Sequence, residues 1–180
     1  MDSIIGQHKY NLSVVPYRSG WVDLFEHEAD LLRGVLGEKG LCIEHCGSTS
    51  IPGMAAKPII DIIIAVVSLP QAVELIPAVE SLDYEYRPID TVPERMFFRK
   101  EPFPEHRTHH LNLAQQDSKF WVNQLAFRDY LRNHDHMAAA YVDLKVRLAE
   151  DAIRTGEIDR EGKTDFVARV LEQASQEKKA

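Results

Sequence analysis

The chain has 180 residues, 44% of them hydrophobic and 27% charged, and a net charge of −7 from 21 basic and 28 acidic side chains. That is the composition of a soluble globular protein long enough to bury a substantial core in one domain. The acidic balance supplies no summed positive field of the kind that holds duplex nucleic acid or an anionic membrane, and leaves room only for a small basic pocket.

The N-terminal Met1-Asp2-Ser3-Ile4-Ile5-Gly6 has no basic region followed by an apolar run, so no signal peptide is expected. No apolar stretch approaches the ~20 residues that span a bilayer, and the chain reads as cytoplasmic. Cys42 and Cys46 lie four apart on one predicted strand. That is too far for a disulfide, and free buried thiols are expected.

Leu12 to Tyr17 reads as a short edge strand ended by Pro16. Ser19 is a candidate N-cap for a helix carrying Trp21, Leu24, Phe25, Leu31, Leu32, Val35 and Leu36 at helical spacing, with Gly37 as its C-cap. Leu41 to Cys46 reads as a strand that runs into the turn Gly47-Ser48-Thr49-Ser50, and Pro52, Gly53 and Pro58 keep the next segment irregular. Ile59 to Val67 is apolar except for Asp61, which predicts a central strand covered on both faces. Gln71 to Leu82 has helical spacing that Pro77 must kink, delay or split. Arg95 to Lys100 and Thr108 to Ala114 read as strands. Helices are expected at Lys119–Asn133, His136–Thr155 and Lys163–Gln173, with caps at Ser118, Asp135 and Gly156, before a frayed end from Ser175 to Ala180. The layout is α+β: a mixed central sheet flanked by helices at about 12–114, then a helical block at about 117–175, in one domain over 1–180.

Asp61 is the residue that most needs explaining. A carboxylate inside an apolar strand must be paired, metal-bound or placed where the strand faces a cleft; it could also simply accept backbone amides from residues 47–50. Gly47, Ser48 and Thr49 form a small hydroxyl-bearing turn of the kind that holds phosphate oxygens, although such turns are often only turns. Twelve residues separate Ser48 from Asp61. This spacing resembles the nucleotidyltransferase signature, in which Gly-Ser holds a triphosphate and a strand carboxylate positions a divalent metal.

By strand alternation His110 and Asn112 face Asp61, and His109 turns to the core with Leu111 and Leu113. An Asp–His pair suits Zn²⁺, Mn²⁺ or Ni²⁺ better than Mg²⁺, and equally suits a metal-free hydrogen bond. Glu44 or His45 could complete a metal site, and for His45 the alternative is a hydrogen bond that fixes the glycine turn. Lys57, Arg95, Arg99 and Arg107 are candidates for an anionic substrate, each weighed against an ion pair with a neighbouring acid; Arg95 is the preferred one. Arg128 and Asp129 read as a structural pair that locks the first late helix to the sheet.

The string from His45 through Cys46-Gly47-Ser48-Thr49-Ser50-Ile51-Pro52-Gly53-Met54-Ala55-Ala56-Lys57-Pro58-Ile59-Ile60 to Asp61 resembles the hallmark of the GrpB-like family. The likeness continues through Arg95–Lys100, Arg107–Leu113, Phe127–Leu131, Tyr141 and Leu144-Lys145, covering about 12–150. It implies a minimal polymerase-β-like nucleotidyltransferase fold. It also implies a domain that some relatives carry fused to dephospho-coenzyme A kinase.

Active members of that fold place a second carboxylate two residues after the first and a third on a neighbouring strand. Here those positions offer Ile63 and a strand without acids. The resemblance therefore implies one of two things. The first is a transferase of nucleotidyl or phosphoryl groups to a small molecule, with Asp61 and His110 as catalytic or metal-binding residues, a divalent metal (Mg²⁺ or Mn²⁺, or Zn²⁺ through histidine), and Gly47, Ser48, Thr49, Lys57, Arg95 and Asn112 on the substrate. The second is a non-catalytic domain that binds a nucleotide or phosphorylated metabolite. A metal-dependent hydrolase using Asp61 with histidines is a further reading.

Overall fold

Alternating and helical apolar spacing sets the layers of this protein. The computed structural model describes residues 5–8, 14–155 and 161–178. In order, its elements are β1 (Gln7–His8), α1 (Gly20–Leu36), β2 (Cys42–Cys46), β3 (Ile60–Val66), α2 (Leu69–Ala72), α3 (Ile76–Glu80) and β4 (Tyr84–Tyr86). There follow β5 (Met96–Lys100), β6 (His106–Arg107), β7 (His109–Gln115), α4 (Lys119–Asn133), α5 (Asp135–Thr155) and α6 (Glu161–Glu177).

A five-stranded mixed sheet in the order β2-β3-β7-β5-β4 forms the centre, with β3 and β7 parallel and the remaining neighbours antiparallel. β1 and β6 pair in a separate two-stranded ribbon. One face of the sheet presents Ile60, Ile62, Ile64, Phe98, Leu111 and Leu113 to Trp21, Phe25, Ala29, Leu32 and Leu36 of α1. On the other face Cys46, Ile63, Ala65 and Ala114 pack on Trp121 of α4. Both faces of β3 are therefore covered, which is why its sequence is apolar almost throughout. α4, α5 and α6 share a further core around Tyr130, Leu131, Tyr141, Phe166 and Val170, joined by Ile51 and Met54. The α+β layout with its helical C-terminal block is as expected. No helix among the described residues is long and apolar enough to cross a membrane.

Three details differ from the sequence reading. Ser19 does not cap α1: its backbone is already helical (φ −57°, ψ −32°), its hydroxyl makes no cap bond, and the first turn closes on the Arg18 carbonyl, 3.1 Å from the Trp21 N–H. The expected strand at 12–17 lies partly outside the described residues; what is described is an isolated bridge between Val15 and Ala56. The helical stretch at 71–82 is split into α2, a 3-10 turn at 73–75 and α3, one of the outcomes expected of Pro77, which lacks an N–H and sits at a helix start. β4 was not anticipated at all. Ser118 does cap α4, its hydroxyl accepting the Trp121 N–H at 3.3 Å, and Gly37 (φ 54°) ends α1. The proposed cap Gly156 lies outside the described residues.

Candidate functional site

Register decides which side chains meet. Asp61 is paired with Cys46 on β2 and with His110 on β7, and His110 in turn is level with Arg99 on β5. Paired residues leave a sheet on the same side, so Asp61, His110, Asn112 and Phe97 all point toward the C-terminal helices. Asp61 Oδ1 accepts a hydrogen bond from His110 Nδ1 at 3.1 Å, and Phe97 lies 5.3 Å from the imidazole ring.

The turn after β2 is shaped to reach this carboxylate. Gly47 has φ 67° and ψ −174°, a conformation open essentially to glycine alone, and a side chain there would fall on the Asp61 carboxylate. Two arginines of α4 hold the turn. Arg128 Nη1 donates to Glu44 at 2.6 Å and to the His45 carbonyl at 2.9 Å, while its Nε donates to Asp129 at 2.7 Å. Arg132 Nη2 donates to the Ser50 carbonyl at 2.7 Å. The expected lock between α4 and the sheet is thus real, and it occupies Glu44.

His45 leaves the strand on the opposite face from Asp61, which removes it from any metal site there. Its ring is stacked on Phe25 at 4.7 Å and its Nε2 lies 3.0 Å from Thr49 Oγ1. The Thr49 hydroxyl donates its single proton to the Ile59 carbonyl at 3.0 Å, so it accepts the His45 Nε2–H. Burial is the main cause that lowers the His45 pKa to about 4. For the same reason Thr49 does not offer its hydroxyl to a ligand as expected; the residue is 1% exposed and both roles of its oxygen are committed within the fold.

Two cavities, of about 570 and 540 Å³, open on either side of the Asp61–His110 pair and share Ser48, Asp61, His110, Tyr141 and Lys163 as walls. Lysines dominate the first: Lys57, Lys145 and Lys163, with Ile59, Leu148 and Ala152 behind them. Lys145 Nζ lies 3.0 Å from Ser48 Oγ and 2.8 Å from the Ala55 carbonyl. Burial, then the charges of Lys163 and Lys57, lower its pKa to about 8. Lys57 is also lowered, by burial first and then by Lys163. Arg95, Phe97, Asn112, Phe120, Asn123 and Gln124 line the second cavity.

Asp61, His110, Gly47, Ser48, Lys57, Arg95 and Asn112 are therefore brought together, as expected from the sequence. Arg99 and Arg107 are not free for substrate: Arg99 pairs with Glu85 at 2.9 Å and Glu101 at 3.4 Å, and Arg107 with Glu101 at 2.9 Å. Lys145, Lys163 and Tyr141 went unassigned. The signal for two of them was available, since Tyr141, Lys145, Leu148 and Ala152 fall at helical spacing on one stripe, where a lysine among apolar residues is anomalous.

The donor set does not make a resident metal centre. Asp61 is the sole carboxylate on either cavity wall among the described residues, and Ile63, where a second would stand, is fully buried. Burial pushes the Cys46 thiol up and keeps it protonated. No group of three or more His, Cys, Asp or Glu able to hold an ion occurs among the described residues.

This architecture recurs in a known protein. The chain matches the family model described as GrpB protein over residues 11–173. It is 39% identical to the UPF0157 protein PA4798 of Pseudomonas aeruginosa over 91% of this chain and 67% of that one. It is 33% identical to the UPF0157 protein YqkA of Bacillus subtilis, covering 95% of this chain but only 49% of that one, so it spans about half the length of the Bacillus protein. Among solved structures it is similar to the conserved protein GrpB of Enterococcus faecalis, with a TM-score of 0.81 and 36% identity over 93% of this chain and all of that one. The chain belongs to the GrpB family.

Proposed function

We propose that this protein binds a nucleotide or other small phosphorylated molecule in the lysine-lined cavity and transfers its nucleotidyl or phosphoryl group to a small acceptor. The observation that carries this reading is the gathering of Lys57, Lys145 and Lys163 on one cavity together with Ser48, with Lys145 Nζ 3.0 Å from Ser48 Oγ. Mutually repelling ammonium groups in a chain of net charge −7 are costly unless an anion relieves them. The nucleotidyltransferase relationship implied by the sequence motif points the same way.

In the transfer, the acceptor hydroxyl attacks phosphorus; a new O–P bond forms and the bond to the leaving group breaks, releasing pyrophosphate when a nucleoside triphosphate gives up its nucleotidyl group and the nucleoside diphosphate when it gives up its terminal phosphoryl group. The Asp61 carboxylate accepts the Nδ1–H of His110, which leaves Nε2 as the unprotonated nitrogen to take the hydroxyl proton. The lysines offset the charge that develops on the leaving oxygens.

A second reading, a non-catalytic binding domain, is favoured by one observation: apolar Ile63 fills the position of the second carboxylate and is fully buried. Differential scanning fluorimetry with nucleotides, coenzyme A precursors and divalent metals separates the two. A ligand that binds the native state raises the melting temperature. Stabilisation by nucleotide together with product formation supports transfer, stabilisation without turnover supports the binding domain, and no shift with any phosphorylated ligand overturns both.

A further inference from the structure

The second cavity has chemistry that phosphate binding does not use. Its floor is Arg95, whose guanidinium carbon lies 4.8 Å from the Phe97 ring centroid and 5.8 Å from that of Phe120. The Arg95 backbone is fixed by paired bonds with Val92 at 3.0 and 3.2 Å. Its Nη1 is buried with no hydrogen-bond partner. A charged donor without an acceptor is rare in a folded protein and costly; the remainder of the guanidinium, half-buried on the cavity wall, is the part open to an acceptor supplied from outside. Burial pushes the guanidinium pKa down, and the Asp90 carboxylate opposes this only in part.

The surroundings indicate what such a ligand must be. Phe97, Phe120 and Phe127 supply flat apolar walls, and Asn112, Asn123 and Gln124 supply neutral hydrogen-bonding groups. A planar guanidinium pre-positioned on aromatic rings pairs bidentately with the two oxygens of a carboxylate, as it does with those of a phosphate; the lysine cavity already takes the phosphate, and the apolar walls beside Arg95 favour the singly charged carboxylate. The cavity meets the lysine-lined one at Ser48, Asp61 and His110, so a molecule seated on Arg95 extends its far end to the imidazole.

We propose that this cavity is the acceptor subsite and takes a small carboxylate-bearing molecule with an aromatic or apolar body, its carboxylate on Arg95 and its body against Phe97, Phe120 and Phe127. The word acceptor rests on the transfer reading above; binding of the carboxylate does not.

Amide chemical-shift mapping of the full chain with benzoate tests it, beside benzamide, acetate and phenyl phosphate. Benzoate is expected to give saturable shifts at residues around Arg95, Phe97, Asn112 and Asn123. Benzamide and acetate are expected to bind about tenfold more weakly or less, since each lacks either the charge or the body. Arg95→Met is expected to abolish the benzoate response while Arg95→Lys keeps part of it; should Arg95→Met not fold, the benzoate–benzamide contrast on the natural protein still decides. Equal response to benzamide, tighter binding of phenyl phosphate at Arg95, or no response at these residues overturns the proposal. Benzoate binding in a protein that binds no phosphorylated ligand overturns the transfer reading and sustains this subsite. Phosphate binding without benzoate binding overturns the subsite alone.

Discussion

Gly47 and Asp61 approach so closely that no side chain fits between them: a β-carbon at residue 47 would lie 2.8 Å from Asp61 Cγ and 2.9 Å from Asp61 Cβ. The turn's backbone thereby touches the one acidic group of the cleft among the described residues, and Ser48 follows directly at the wall shared by both cavities. Absence of a side chain is what lets hydroxyl, carboxylate and imidazole occupy one place.

Gly47→Ala is therefore expected to destabilise the fold by about 2–4 kcal/mol, from positive-φ strain plus the clash. In a chain of this size that lowers Tm on the order of 5–15 °C. In an Asp61→Ala background the cost of Gly47→Ala should fall without vanishing, because Oδ2 and Cγ are gone while the residue-61 Cβ and the φ of 67° remain. Equal costs in the two backgrounds, measured by thermal or urea unfolding, would show that the contact carries no energy.

Lys145 is held at a pKa of about 8, against an ordinary 10.5, chiefly by burial. The unfolded chain binds this proton more tightly, so at pH 7 the charge opposes folding, and the opposition fades as pH rises through 8 toward 10.5. Lys145→Met is predicted not to lower Tm at pH 7, while weakening binding of phosphorylated ligands. In the natural protein that binding should also weaken as pH rises above 8, where the amine loses its charge, and in Lys145→Met this pH dependence should disappear. Calorimetric titration between pH 7 and 9 reads both effects.

The central strand was legible because its two-sided apolar pattern has one structural solution, and the clustering of Asp61 with His110 followed from strand alternation. β4 was not legible: Tyr84-Glu85-Tyr86 is too short to establish a period, and it follows Asp83 in a left-handed turn (φ 65°). The side on which His45 emerges depends on the register between β2 and β3, which local sequence does not encode. Lys145 was legible only in part. Its place on the apolar stripe of Tyr141, Leu148 and Ala152 marks it as anomalous, but local sequence does not encode that α5 packs against the residue-48 turn and brings its amine to Ser48.

Burial lowers the pKa of both His45 and His109 to about 4. Each is neutral in the fold and charges more readily in the unfolded chain, whose histidines titrate near 6.5. The stability associated with these neutral rings is fully present above about pH 6.5 and is lost as pH falls toward 4. The expected loss is of order 2 kcal/mol per histidine across that window. Replacing His45 with Gln, which can still donate to Thr49, should flatten the acid limb of a stability–pH curve measured by urea unfolding; an unchanged limb would show that His45 does not contribute.

Equilibrium binding of a nucleoside triphosphate, measured by calorimetry at pH 7 on the natural protein and on Lys145→Met in parallel, tests the phosphate-binding cleft most directly. The natural protein is predicted to bind, and Lys145→Met to bind about tenfold more weakly or less, as expected for loss of a charge-assisted contact. Equal affinity in the two proteins, or no heat with any phosphorylated ligand tried, would contradict the assignment of the lysine-lined cavity to phosphate.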